Sequence, residues 1–493
     1  MTFRATRREL LAGLGALAVA PRASAGSSTS LRSILDRVAS GGEPEAMLAL
    51  IRRARPSGLD RADRAILAMV ARGLERESAL RRAFPFGKAD GSSPYVVSQR
   101  HGAWLQLGDR TVSPAETARR LDEETERLRA DAARGIVPPR FVLDPVLKSL
   151  RDLRPSDALG RQIEALASLR SNSTDEPGVR RLPGGEDYYR LRLRCTTGLD
   201  DRPERIERRV AEETADLLRR ADAALRRAGL EQGGVGERLR ALKRRPEHLY
   251  ANDDAGRARA VADMNALLDR RRKQLAFMFN PPLEPGSAVR RMAPADEQAG
   301  RRGYRDAPTA AGPGAYYPDL GQVHERPSWT LAPVVFHETV PGHLLQLGRQ
   351  RPADPHPLQL RYAPGYSEGW AVYAETLVGD IGWPPEVELG FLQSRLFRLA
   401  RVACDIGLHL RRWERARAIR YLEETVGFEL FFPFAAEVDR YAVEPAGFAG
   451  DAMVALTLQR LGRRAAASRR ARGFHDAVLD HGPLSAEAIE RIA

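Results

Sequence analysis

The sequence predicts a mainly helical protein, because its composition and its apolar periodicity both favour helices. Ala, Leu, Arg and Glu dominate long stretches of the 493 residues, whereas aromatic residues make up only 6%. These residue types form helices more readily than strands. Between Pro203 and Ala228 apolar side chains recur every three or four positions, and Gly229 ends the pattern. This balance argues against an all-β architecture.

A capping signal and a change of composition locate two further elements. Ser113 is followed by Pro114, and Glu116 stands three positions after the serine. This arrangement is a capping box, which predicts a helix to about Ala133. Residues 280–328 are rich in proline and glycine and lack a helical period, which predicts a long loop with one extended strand. Because that loop leads directly into the central motif described below, we expect it to be functional.

The first residues have the features of a twin-arginine export signal. Arg7 and Arg8 precede a short apolar run, and Ala23-Ser24-Ala25 follows as a cleavage site of small residues. The run is about eleven residues long, shorter than the roughly 20 residues that a spanning helix needs. We therefore expect residues 1–25 to be a signal peptide and the mature chain to start near Gly26. That chain would be periplasmic or secreted, with no stable membrane anchor after removal of the signal.

The formal charge of +13 raises the question of a nucleic-acid partner, since clustered Lys and Arg neutralise phosphates. Here the basic residues are spread along helical segments among Glu and Asp, and only four of the 78 are lysine. This distribution indicates solvated helix faces, and we expect no nucleic-acid partner.

The two cysteines, Cys195 and Cys404, lie far apart in the sequence. An oxidising compartment would permit a bridge between them without requiring one. Neither cysteine has a Cys or His neighbour at the spacing of metal ligands. Buried, inert thiols are the default expectation.

The central motif of the chain is the string HETVPGHLLQ, which begins at His337. In the zinc-hydrolase pattern His-Glu-x-x-His, the two histidines are four positions apart and share one helix face. Here they are six apart, which would rotate His343 by about 240° from His337 on a regular helix. Pro341 clashes with the carbonyl group of His337, and Gly342 tolerates unusual backbone angles. We therefore predict a bulge or break at this pair that returns His343 to the metal face.

A third metal ligand is offered by the string SEGWAVYAE. Its Glu368 lies 25 residues after His343 and opens a predicted helix. Glu375, seven positions later, lies on the same helix face, from which it can accept a hydrogen bond from a ligand imidazole. Two imidazoles and one carboxylate are a common ligand set for zinc. The sequence thus predicts zinc bound by His337, His343 and Glu368, with Glu338 as the general base.

The strings HETVPGHLLQ and SEGWAVYAE resemble the signature of the bacterial domain-of-unknown-function family 885, whose members resemble the gluzincin metallopeptidases. In gluzincins the second motif supplies the glutamate ligand, which corresponds here to Glu368. The resemblance covers most of residues 182–445. It implies a large helical metallopeptidase-like fold with a central cleft and at most a small sheet beside the metal helix. We assign residues 181–493 to this catalytic region and residues 26–180 to an N-terminal helical region.

The resemblance also suggests residues that would contact the substrate or the reacting atoms. His409 and Tyr441 lie in recurring motifs and can donate hydrogen bonds to an oxyanion, which makes them candidate catalytic residues. The alternative for His409 is a helix-end histidine bonded to the backbone, and for Arg440 it is a structural ion pair instead of substrate binding. Tyr316 and Tyr317 are candidate substrate-binding residues, on an edge strand that pairs with an extended peptide. Their alternative role is ordinary packing.

Together these observations predict an exported zinc-dependent hydrolase that cleaves peptide bonds with a metal-activated water. Its partner would be a peptide or a small amide. A hydrolase of a non-peptide amide or ester remains an alternative that the sequence does not separate from a peptidase. A catalytically inactive binding protein is a further alternative, and the presence of Glu338 argues against it.

Overall fold

The computed structural model describes residues 27–54, 58–107, 111–280, 287–309, 312–350 and 354–493, and the predicted signal peptide lies outside them. The fold is mainly helical, as predicted. Within the described ranges no helix is both long and apolar enough to cross a membrane. The α-helices in chain order are α1 (Ser27–Ala39), α2 (Pro44–Arg53), α3 (Arg61–Ala83), α4 (Pro114–Ala132), α5 (Arg140–Arg151), α6 (Asp157–Ser171), α7 (Gly185–Thr197), α8 (Pro203–Arg227), α9 (Val235–Lys243), α10 (Asp254–Ala276), α11 (Pro294–Gln298), α12 (Leu331–Glu338), α13 (His343–Arg349), α14 (Pro357–Tyr362), α15 (Tyr366–Gly379), α16 (Pro385–Leu410), α17 (Arg415–Thr425), α18 (Phe434–Val443), α19 (Ala449–Ala467), α20 (Ala471–Asp480) and α21 (Ala486–Ile492).

The two helices that the sequence located are present with nearly the predicted bounds. Helix α8 covers the apolar stripe and ends one residue before Ala228, its C-cap residue. Helix α4 begins at Pro114, and the side chain of Ser113 accepts a hydrogen bond from the backbone N–H of Glu116. Local periodicity and capping are therefore sufficient to predict the bounds of these two helices.

The hydrophobic core runs through both regions that the sequence separated at residue 180. Its main cluster combines side chains of α1 to α3 with side chains from α7 to α21. Helix α3 packs directly on α7, α14 and α21. A smaller apolar cluster lies among α4, α5 and α6. Residue 180 therefore marks no division of the core.

Four helices form the scaffold around the central motif. The long helix α16 packs along α8, while α15 packs along α19, and α12 contacts both α15 and α16. Trp370 of α15 is the largest of the fully buried side chains. Between Leu389 and Val402 of α16, Arg398 is the one residue that is not buried. These packed helices hold α12 rigidly from two sides.

A three-stranded sheet, consisting of β1 (Ala288–Val289), β2 (Tyr304–Asp306) and β3 (Ala315–Tyr317), lies beside α10 and α12 and agrees with the predicted small sheet. Its strand order is β1-β3-β2, with β3 parallel to β1 and antiparallel to β2. The prediction that Tyr316 and Tyr317 lie on an edge strand is therefore wrong. Strand β3 already pairs on both sides, so its backbone has no free edge for a peptide.

The two cysteines are unpaired in the structure. Burial raises the pKa of the Cys195 thiol to about 11, and it also raises the pKa of the Cys404 thiol well above its ordinary value. The thiolate form is therefore suppressed at neutral pH, which agrees with the expectation of inert thiols.

Close contact between α15 and α19 depends on glycine. A β-carbon added at Gly369 would lie 2.5 Å from the β-carbon of Val454 on α19 and 3.0 Å from the backbone oxygen of Asp451. Carbon atoms do not approach this closely without displacement of one helix. The absence of a side chain at Gly369 therefore sets the distance between the two helices.

We expect the substitution Gly369→Ala to destabilise the protein by about 1–3 kcal/mol, because the added methyl group overpacks the contact with α19. Thermal unfolding followed by circular dichroism measures this effect. Gly473→Ala is the matched control, since Gly473 lies exposed in α20 with no atom within 4 Å of the added carbon. The control should be neutral or slightly stabilising. An unchanged melting temperature for Gly369→Ala would contradict the packing argument.

Candidate metal centre

The central motif is split between two helices, as the Pro-Gly pair predicts. Helix α12 ends at Glu338 and α13 begins at His343. The backbone N–H of Thr339 donates to the carbonyl oxygen of Val335 at 2.9 Å, which completes the last turn of α12. The peptide bond between Val340 and Pro341 is cis. The chain thus turns over residues 339–342 and starts a new helix, and no continuous helix separates the two histidines.

This turn brings three side chains together. The ring centroids of His337 and His343 are 4.7 Å apart. Glu368, in the first turn of α15, places its Oε2 atom 3.4 Å from His337 Nε2 and its Oε1 atom 3.5 Å from His343 Nε2. One ligand atom from each residue lies within 4.8 Å of the other two. The residues that the sequence predicted as metal ligands are therefore adjacent in space.

Further hydrogen bonds orient the two imidazoles. His337 Nδ1 lies 2.8 Å from Glu375 Oε1, so the nitrogen donates to the carboxylate. Ser367 Oγ donates to a side-chain oxygen of Gln346 at 3.0 Å and lies 3.2 Å from His343 Nδ1. The Ser367 oxygen therefore accepts the Nδ1–H of His343. Both rings are held with Nε2 towards Glu368, and Glu375 has the position that the sequence predicted.

The cluster favours positive charge. Burial lowers the pKa of His337, but its hydrogen bonds with Glu368 and Glu375 outweigh burial and raise the pKa to about 9. Burial raises the pKa of Glu368, but its contacts with the two histidines lower the pKa by more. The pKa of Glu368 therefore lies well below its ordinary value. The carboxyl groups of Glu368 and Glu375 beside two imidazoles thus attract a cation, which is a proton when no metal is bound.

The donor set of the cluster fits a metal ion such as zinc. His343 Nε2 is buried and makes no well-formed hydrogen bond to any described residue. Such an unsatisfied buried nitrogen is rare in proteins, and a metal ion would satisfy it. Two imidazole nitrogens and one carboxylate oxygen are a common ligand set for zinc. Here one such atom from each of the three residues lies within 4.8 Å of the other two.

Glu338 lies beside the three-residue cluster and is not a member of it. Its carboxylate forms an ion pair with Arg305 of β2. Burial raises the pKa of Glu338, but the Arg305 guanidinium and the two neighbouring imidazoles outweigh burial and lower the pKa below its ordinary value. The sequence did not predict Arg305, because a residue in an irregular loop has no periodicity that indicates its direction. Its place opposite Tyr316 in the strand register is what brings it to Glu338.

Arg398 of α16 contacts Glu368, the predicted third ligand. Its Nη1 atom donates to Glu368 Oε2 at 3.2 Å. Asp451 of α19 also lies nearby, and burial together with the charge of Glu368 raises the pKa of Asp451 to about 6. Arg401, one turn along α16, stacks on the ring of Phe448 at 3.6 Å. Arginine side chains therefore continue from the cluster along α16.

His409 and Tyr441 lie away from the cluster, and the expectation that they donate to an oxyanion is wrong. Both are fully buried. The backbone N–H of Val179 donates to His409 Nδ1, and His409 Nε2 donates to the carbonyl oxygen of Tyr441, each at 3.1 Å. The Tyr441 hydroxyl donates to Glu437 Oε2 at 3.1 Å. Neither side chain has a free donor, so His409 is the backbone-bonded histidine of the alternative interpretation.

The remaining candidates differ in their contacts. Arg440 donates to Glu444 Oε2 at 3.0 Å, which makes it a structural ion pair. Tyr317 stacks on Tyr304 with ring centroids 4.7 Å apart. Tyr316 is buried, and it lies opposite Arg305, the partner of Glu338, in the strand register. Burial and then the charge of Glu338 raise the pKa of the Tyr316 hydroxyl.

Comparisons with known proteins agree with the fold described above. The chain is similar to the crystal structure of a candidate lipoprotein from Colwellia psychrerythraea, with a TM-score of 0.73 and 24% identity over 93% of this chain and 90% of that chain. It is also similar to a candidate lipoprotein of unknown function from Shewanella oneidensis, with a TM-score of 0.61 and 15% identity over 96% of this chain and 93% of that chain. At these identities the likeness concerns the fold alone.

A search of curated proteins finds no match to the chain. The model of a family described as bacterial protein of unknown function (DUF885) matches residues 39–492. This range includes His337, His343, Glu338 and Glu368. Because this match spans nearly the whole chain, the protein belongs to the DUF885 family.

Proposed function

We propose that the protein is a zinc-dependent hydrolase whose metal ion is held by His337, His343 and Glu368. The observation that carries this proposal is the convergence of these three ligand atoms beside a separate, partly exposed carboxylate, that of Glu338. A binding site for a structural metal needs no such additional carboxylate. A hydrolytic site requires a proton acceptor at this place.

In the proposed reaction the residues of the chain orient the substrate and move one proton. A bound zinc ion would lower the pKa of water from 15.7 to about 7 and polarise a carbonyl group. Glu338 accepts a proton from the water at a carboxylate oxygen and passes it to the leaving group. Arg305 keeps Glu338 ionised before that step, because its positive charge stabilises the carboxylate. Glu375 and Ser367 keep the two imidazoles in the tautomers that present Nε2.

We propose a peptide as the substrate, and thus a function like that of the gluzincin metallopeptidases. Two sequence features support this proposal: Glu338 follows His337 directly, and the glutamate ligand lies on a separate helix. A digest of mixed peptides, read by mass for released residues, tests it. Products from esters or small amides and none from peptides would favour the alternative hydrolase.

We also propose that the chain is exported by the twin-arginine route. The Arg7-Arg8 pair and the short apolar run after it support this proposal. The fold is shared with two candidate lipoproteins, which supports a location in the cell envelope or outside the cell.

Replacement of Arg7 and Arg8 by lysine is expected to retain the unprocessed precursor in the cytoplasm, because the twin-arginine pair is the recognised signal. Fractionation followed by mass determination of the N-terminus measures this outcome. Normal processing and export of the double-lysine variant would refute the proposed route.

The wild-type protein is expected to bind one zinc ion per chain, and His343→Ala should lose it because only two ligands remain. Elemental analysis after dialysis against a weak chelator measures the zinc content. His481→Ala is the matched control, since this histidine caps α20 outside the three-residue cluster. Full zinc occupancy in His343→Ala would show that another residue completes the site, with His324 the next to test.

Glu338→Gln should retain zinc and lower turnover by about 10² to 10⁴, because the amide keeps the shape of the carboxylate but accepts no proton. Zinc content and kcat are measured on the same preparation. Glu423→Gln, an exposed position in α17, is the control and should match wild type. Loss of zinc from Glu338→Gln would identify Glu338 as a ligand. Full activity with zinc in place would mean that the base lies elsewhere.

A further inference from the structure

A small cleft lies between α12 and α16, near the proposed metal centre. In α12 only Val334 and Glu338 are not buried, and they lie four residues apart on the same face. In α16, Ser394 lies four residues before Arg398, which contacts a metal ligand. Val334 and Ser394 both line the cleft. The wall of the cleft that Val334 and Ser394 form is therefore one helical turn, or about 5.4 Å along each helix axis, from the predicted base and from Arg398.

The cleft is small and mostly apolar. Besides Val334 and Ser394, it is lined by Phe428, Phe431 and Arg326 among others. Its cavity volume is about 30 Å³. That space holds one or two waters, or a group of similar size such as a carboxylate.

Arg326 is the half-buried charge of this cleft. Its guanidinium forms no ion pair with any residue that the structure describes. Two carboxylates also line the cleft, but both belong to exposed residues. Glu325 lies 3.9 Å from His324 Nε2, and Glu429 accepts the backbone N–H of Phe434. Neither of them neutralises Arg326, so the guanidinium is available for an anionic ligand.

Arg326 shares this cleft with Val334, which lies one helical turn before the predicted base on the same face of α12. Burial and the charge of Glu338 raise the pKa of the Tyr316 hydroxyl, and the charges of Arg326 and Arg305 lower it. Arg305 is paired with Glu338, and Arg398 donates to Glu368. Of these three arginines, Arg326 is therefore the one that forms no ion pair with Glu338 or Glu368.

We propose that Arg326 binds the terminal α-carboxylate of a peptide, so that the protein acts as a carboxypeptidase and releases the C-terminal residue. This inference rests on the proposed function. One helical turn separates the cleft from Glu338, and consecutive Cα atoms of a peptide are about 3.8 Å apart. A carboxylate in the cleft thus places the preceding peptide bond next to Glu338. The hydroxyl of Ser394 lines the same space and offers a second donor.

The proposed reaction is a simple hydrolysis. The oxygen of water bonds to the carbonyl carbon of the last peptide bond, and the bond from that carbon to nitrogen breaks. Glu338 transfers one proton of the water to the departing amine. The products are a peptide shortened by one residue, with a new terminal carboxylate, and a free amino acid.

A matched pair of substrates tests this inference: N-acetyl-tetra-alanine with a free carboxylate, and the same peptide with a C-terminal amide. The zinc-loaded full chain should release alanine from the acid with a kcat/KM at least tenfold higher than for the amide. Arg326→Gln should lower kcat/KM for the acid by about 10- to 100-fold, mainly through KM, because a charge-assisted hydrogen bond is lost. Its activity on the amide should not change.

Binding without turnover gives a second measurement. In Glu338→Gln, calorimetry should show at least tenfold tighter binding of the acid than of the amide, and a further Arg326→Gln change should remove the difference. Arg464→Gln, an exposed position in the last turn of α19, removes the same charge and should have no effect. Arg326→Lys retains a positive charge and should keep part of the preference. Melting temperatures establish that each variant is folded.

The outcomes separate this inference from the proposed function. Equal cleavage of acid and amide, cleavage only at internal bonds, or an equal effect of Arg326→Gln on both peptides would overturn the carboxylate site and leave the hydrolase intact. A binding preference for the acid without any cleavage would refute the peptidase function and retain the carboxylate site. Neither cleavage nor binding of either peptide would refute both.

Discussion

The close approach of Gly342 to the end of α12 is the constraint on which the proposed metal centre depends. A β-carbon at this position would lie 2.0 Å from the carbonyl oxygen of His337 and 2.4 Å from that of Phe336, so only glycine fits. The turn at residues 339–342 is therefore tight enough for the two histidines to share one space. Trp370 Nε1 donates to the carbonyl oxygen of Pro341 at 2.9 Å, which ties this turn to α15.

Helix α15 has a corresponding role on the other side of the centre. It supplies the ligand Glu368 and also Ser367 and Glu375, which orient the two imidazoles. A single rigid element thus sets three distances at once. Its own position is set by glycine contacts with α19, at Gly369 and at Gly365. Arg398 then reaches the same carboxylate from α16, so the centre lies where three packed helices meet.

Much of this arrangement could be predicted because it depends on local stereochemistry. Proline and glycine interrupt a helix wherever they occur, and a residue seven positions after Glu368 lies on the same helix face. The residues that were missed or misplaced have no such local signal. Arg305 lies in a strand of only three residues and Arg326 follows a short 3₁₀ helix, so in both cases the direction of the side chain follows only from tertiary contacts. His409 lies on a regular helix, but the backbone groups that bond its ring belong to Val179 and Tyr441, which are distant in the chain.

By itself, the sequence determined the helical class, the bounds of α4 and α8, and the interruption between the two histidines. It also predicted that His337, His343 and Glu368 converge and that Glu375 contacts His337. These features follow from periodicity, capping and backbone geometry, which act over a few residues. Only the tertiary structure decided that β3 is a central strand and that Arg305 pairs with Glu338. It also decided that a small cleft with Arg326 lies one turn from the base. Strand order and contacts between distant segments depend on how the helices pack, and no spacing within one segment contains that information.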